Sequence, residues 1–211
     1  MIDKVLVFNI ALDALSLNYT TNNPDTDVNI NVRRLRLMYP MALSKTLADL
    51  DLNKTSTKFK LQLTPLTHPH FTYVYKYPAN CAKFRRIVSA VPIDNKTTRI
   101  PAQTEVMDGM DVIVTNETEA WAEIIPTDVN LSVLNPSAAL ALGHQLAILA
   151  SSLITGKGAT QLKQVIRETY AFHKAEAQED DSNENVDTTP AEFESEFIQA
   201  RLGGGRWPLK I

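Results

Sequence analysis

The apolar residues of this chain change their repeat twice, and that change decides what it can fold into. Up to Leu52 they recur every three or four positions, then on alternate positions to about Pro126, then every three or four again. The first spacing lines one stripe of a helix; the second lines one face of a strand. The predicted fold is α+β, in the order helices, an antiparallel β block, helices again and an extended C-terminal arm. The expected divisions are 1–54 for the N-terminal helices, 55–130 for the β domain and 131–180 for the C-terminal helices of the bundle. Residues 181–211 hold an acidic linker, a short helix and the arm.

Within the first segment, Val5, Phe8, Leu12 and Leu15 form one helical stripe. Asp27 is placed to cap a second helix with Val28, Val32, Leu35 and Tyr39 as its stripe, and Pro40 predicts a kink or break in it. In "KFKLQL", residues 58–63, Phe59, Leu61 and Leu63 alternate with polar groups, as in a half-buried strand. In "HFTYVYKYPANCAKFRRIV", residues 70–88, Phe71, Tyr73, Tyr75 and Tyr77 alternate too. They are expected on one buried face, with Cys81 packed at the edge of the same core. Asp108-Gly109 between apolar runs predicts a tight hairpin, and "EAWAEII", residues 119–125, a last strand. Asn135 followed by Pro136 predicts a helix start. Leu142, Leu146, Leu149 and Leu153 are its expected stripe, and its small residues permit close helix approach. "TGKGAT" then reads as a turn before a helix from Gln161 to about Gln178.

Charge and composition exclude several classes. The chain has 211 residues and a formal net charge of −3, so it lacks the basic excess on which tight nucleic-acid binding draws. The longest apolar stretch, Leu131 to Ile154, is interrupted by Asn135, Pro136, Gly143, His144 and Gln145, and no membrane span is expected. Asp3 and Asp13 argue against a signal peptide, and a single cysteine suits a reducing compartment.

Candidate chemistry is sparse. His68 and His70 are expected in a surface loop, since no Cys, Asp or Glu follows at ligand spacing. His144 lies in an apolar helix and is expected to be packed, and His173 in a polar one, exposed. Cys81 has no nearby base to activate it. "GKGAT", residues 156–160, lacks the spacing of a phosphate loop. Asp108, Asp111, Glu117, Glu119 and Glu123 fall in the strand block, and two such carboxyls could in principle serve glycoside hydrolysis. A solvated face is the reading preferred for them. The tail differs: Arg206 and Trp207 sit between three glycines and Pro208. So short an arm cannot bury a tryptophan on itself, and Trp and Arg dominate protein interfaces. Arg201, Arg206, Trp207, Pro208 and Leu209 are therefore the candidate partner-binding residues.

The ordered segments resemble phage head-to-tail adaptor proteins of the tail tubular protein A type. "DVNINVRRLRLMYPMALSKTLADL" is similar to that family's second helix, with its paired basic residues and aromatic-proline step. "FTYVYKYPANCAKFRRIV" is similar to its aromatic strand; Asn80 stands where Asp is usual and Met41 where Trp often follows the proline. The Asp108-Gly109 hairpin, the strand around Trp121 and "NPSAALALGHQLAILASSLITG" continue the likeness, which covers most of residues 1–180. The resemblance implies a helical bundle with an inserted antiparallel β domain, and a non-enzymatic ring subunit, about twelve copies joining the portal to a tail nozzle or further tail ring. It also implies an arm reaching toward the portal, DNA passing the lumen without tight binding, no cofactor, and assembly into virions in the host cytoplasm. The rivals are a tail-associated glycan hydrolase and a host-encoded interaction module.

Overall fold

The computed structural model describes residues 2–89, 100–156 and 160–184. Helix α1, Lys4–Ala14, begins where the Asp3 carboxylate accepts the Leu6 N–H at 2.8 Å, satisfying one of the free donors of a first turn. It buries Val7, Phe8, Ala11 and Leu12, with Leu15 just past its end. Phe8, Leu12 and Leu15 of the expected stripe are thus buried, and Val7 rather than Val5 joins them.

Helix α2 runs from Ile30 to Leu50 and is capped by Asn29, whose side-chain oxygen accepts the Asn31 N–H at 2.9 Å. The expected cap, Asp27, lies two residues upstream, where it accepts the Asn29 N–H and the Tyr19 hydroxyl. Val28 therefore precedes the helix and is 87% exposed. No break occurs at Pro40. That proline lies on the exposed side of the helix, while Leu35, Ala42, Leu47 and Leu50 on the other side are buried. An interior proline costs about 3 kcal/mol; burying three leucines, at about 1.5–3 kcal/mol each, exceeds that.

Among the described residues six strands follow: β1 Thr57–Lys60, β2 Tyr73–Lys76, β3 Cys81–Ser89, β4 Ala102–Met107, β5 Met110–Thr115 and β6 Ala120–Pro126. They form two antiparallel sheets, in the orders β1-β6-β3 and β2-β5-β4. The sheets pack face to face through Leu61, Tyr75, Ile87, Ile113, Ala122 and Ile124. On β6, consecutive residues point to opposite faces. Ile124 enters this inter-sheet core, and Ile125 enters the core of the helices. The first sheet is therefore a layer between bundle and second sheet.

The aromatic run divides accordingly. Tyr73, Tyr75, Tyr77 and Cys81 share the inter-sheet core, as expected. Phe71 does not; it covers the outer face of the second sheet beside Val74, Val112 and Val114. It precedes β2, in a loop where His68 Nδ1 accepts its N–H at 3.1 Å, so strand alternation does not reach it. β1 is likewise shorter than expected: Leu61 is buried, but Phe59 and Leu63 are 44% and 61% exposed. The hairpin at Asp108-Gly109 joins β4 to β5 with φ of 50° and 76°, the paired positive values of a type I′ turn.

Helix α3, Pro136–Ile154, begins as expected, with Asn135 Oδ1 accepting the Ala138 N–H at 2.7 Å. It is long and apolar enough to cross a membrane by length and composition, but here it is the central helix, packed by α1, α2 and α4. Its contacts are broader than the expected stripe. Leu142 and Leu146 are fully buried, Leu153 is 46% exposed, and alanines fill the remaining buried sides. Helix α4 extends from Thr160 to Glu184, so residues 181–184, expected in the linker, are helical. Asp181 explains why: its carboxylate accepts both the backbone N–H and the side-chain amide of Asn53, at 2.9–3.1 Å. The α+β fold, helices enclosing two small antiparallel sheets in sequence order, is the one expected.

Candidate functional site

The predicted partner-binding residues Arg201, Arg206, Trp207, Pro208 and Leu209 lie outside the described residues. Within the described residues, two kinds of surface stand out: a charged junction between bundle and sheet, and two outward-facing helix rows.

The junction is built at the end of α2. Asp51 takes the left-handed conformation, φ 54°, and its N–H caps Leu47 O. Its carboxylate accepts from Lys83 at 2.7 Å and from Arg85 Nε at 2.6 Å. Arg85 also reaches Glu123 at 3.0 Å, and Arg86 reaches the other Glu123 oxygen at 2.7 Å. Strand alternation would send Arg85 and Arg86 to opposite faces. An irregularity in the β3–β6 ladder between Phe84 and Arg86 lets both converge on one carboxylate. Burial pushes the Glu123 carboxyl up, but hydrogen bonds from Arg86 and Arg85 outweigh it and hold it below the ordinary glutamate value. Asp51 behaves the same way, with Lys83 and Arg85 outweighing its burial. The junction ties the β domain to α2, and its charges are spent on one another.

The helix rows are the reverse. Along the side of α2 opposite its buried face, Ile30, Leu37 and Met41 are 55%, 72% and 61% exposed. On α4, Val165 and Phe172 are 57% and 60% exposed. The spacings of seven, and of seven then four, place each set on one helix face. These rows lie outside the buried stripes that the helical spacing predicts. The signal was there, in apolar residues at helical spacing that fit neither buried face.

The remaining candidates make the following contacts. His68 Nδ1 accepts the His70 and Phe71 N–H groups, and its Nε2 lies 3.3 Å from Glu105, so it fastens the loop 64–71. His144 Nδ1 lies 2.8 Å from Leu140 O. His173 is not exposed as expected: its ring packs against His144 with centroids 5.4 Å apart and bonds Glu176. Burial lowers the His144 pKa, and the neighbouring His173 lowers it further. Burial raises the Cys81 thiol pKa despite the Tyr77 hydroxyl 3.3 Å away, the wrong direction for a nucleophile. Of the five carboxylates, Glu123 is held ionised between two arginines, whereas a glycosidase acid must hold its proton. Asp108 is in the hairpin turn, and Glu119 lies 3.8 Å from Lys60. Gly156 closes α3 with φ 71°, as a helix–helix turn requires; residues 157–159 lie outside the described ones.

Fold and surface together describe an α+β chain with a β unit set between the helices of one bundle. No protein-family model matches its sequence, and no similar curated protein was found.

Proposed function

We propose that this chain is a non-enzymatic structural subunit of the ring that joins a bacteriophage capsid portal to its tail. One observation carries the reading: a β unit of two antiparallel sheets interrupts a single helical bundle, in the segment order that the resemblance implies. Three features support it. The junction of Asp51, Lys83, Arg85 and Glu123 fixes the β domain on the bundle, which a load-bearing brick needs. Two helices carry apolar residues outward, the signature of a surface made for another protein. The net charge of −3 suits a sleeve through which DNA passes, since a sleeve that neutralised phosphates would retain the genome. The proposed partners are further copies in a ring, the portal, and a nozzle or further tail ring. The place of action is the virion neck.

The test is the native mass of the purified chain, alone and with its portal. The reading expects a closed multimer of about twelve copies, of a kind that heterologous interfaces produce, and its capture by the portal. A chain that stays monomeric and never joins the portal overturns it.

A further inference from the structure

Helices α2 and α4 carry opposite charges around their exposed apolar rows. We propose that the α2 row of one copy docks antiparallel on the α4 row of the next. This rests on the ring reading and names the surfaces that would close the ring.

The two rows match in charge. Arg33, Arg34 and Lys45 surround Leu37 and Met41, and no Asp or Glu occurs from Ile30 to Lys45. On α4, Glu168, Glu176 and Glu179 fall on the face of Val165 and Phe172, at offsets of three, eleven and fourteen residues from Val165. Arg167 and Lys174 fall on roughly the opposite side of that helix, at about 100° per residue. Among the described residues Arg33, Arg34, Lys45 and Glu179 have no ion-pair partner within the chain. Their charges are available to a neighbour.

They also match in length. Arg34 and Lys45 are eleven residues apart, as are Glu168 and Glu179, about 16 Å along either helix. Laid antiparallel with Arg34 opposite Glu179 and Lys45 opposite Glu168, the rows bring Met41 opposite Phe172 and Ala48 opposite Val165. A methionine beside an aromatic ring is a favourable contact. Laid parallel, Phe172 would instead meet Met38, which is half-buried in its own bundle.

A second copy is the occupant because one chain carries both halves. Pairing α2 with α2 sets base against base, and α4 with α4 acid against acid; both like pairings are penalised. The two helices pack on α3 and meet each other where Tyr170 and Gln178 reach Asp49 and Leu50. Each row faces away from α3, so a head-to-tail contact leaves one row free at each end of a growing chain until a ring closes.

Two variants test this by sedimentation velocity: Arg34→Glu with Lys45→Glu, and Glu168→Lys with Glu179→Lys. All four positions lie outside the buried core, and thermal melts establish that each variant folds. The expected result is a wild-type ring, loss of the ring in each variant alone, and its return when the two are mixed, because reversed α2 then meets reversed α4. A wild-type ring that both variants keep overturns the interface and leaves the ring reading standing. A wild type that is monomeric both alone and with its portal overturns both. A dimer lost in each variant supports the docking and overturns the ring.

Discussion

At Gly143 a single added carbon would matter. A Cβ there would lie 2.4 Å from Ile10 Cγ2 and 2.7 Å from Ile10 Cβ, well inside van der Waals contact, where α3 crosses α1. Ile10 is β-branched and stiff at χ1, so it cannot turn aside. Gly143→Ala should destabilise the chain by about 1–3 kcal/mol, the usual cost of overpacking, measured by urea denaturation. Adding Ile10→Ala should recover part of that loss; if the two changes merely add, the contact is not the cause. Asp181 gives a second case. Asp181→Ala removes the acceptor for two Asn53 donors, and because water can reach Asn53 the expected loss is about 1 kcal/mol. The two residues differ in how far the sequence declared them. The small residues of α3 announce a close helix crossing, although not which partner fills the space. Asp181 reads as one more acid in a polar run, because its partner is 128 positions away.

Among the elements, those fixed by local chemistry are legible: the Asp108-Gly109 hairpin, the Asn135-Pro136 helix start and the strand through Trp121 each depend on adjacent residues. The misses arise where distant packing overrides a local rule. α2 passes through Pro40 because leucines on its other side are buried, and Phe71 leaves the tyrosine face because His68 fastens the loop before β2. The charged junction was hidden for a related reason, since it depends on a ladder irregularity that no periodicity records. It has a pH signature. Glu123 and Asp51 both titrate below their ordinary values in the folded chain, so the stability they contribute is present above the unfolded values, about 4.3 and 3.9. It is lost as pH falls through the lower folded values. Thermal unfolding followed from pH 7 downward should be flat in this contribution until about pH 4.3 and then decline. Glu123→Gln should be the less stable protein at neutral pH, with the gap to wild type closing as acid protonates the native carboxyl. A gap that stays constant through that decline would remove the Arg85 and Arg86 pairing as its source.

For the whole molecule, body and arm make separable demands. The folded cores draw on residues from Ile2 to Ala177, and the two exposed helix rows end before Glu184. If Trp207 and Arg206 serve a partner, removing residues 203–211 should leave the melting temperature and the ring mass unchanged while portal capture is lost. Charge reversal on α2 or α4 should do the converse: it dissolves the ring, and with it the repetition that lets many tethered arms bind as one. Each arm after the first binds at a raised effective concentration, so monomers bearing intact arms should be captured far more weakly than rings bearing the same arms. Portal capture measured for the wild type, the arm deletion and the charge-reversed monomer therefore distinguishes contact from multivalency. If the monomer is captured as tightly as the ring, one arm suffices and ring closure adds nothing to attachment.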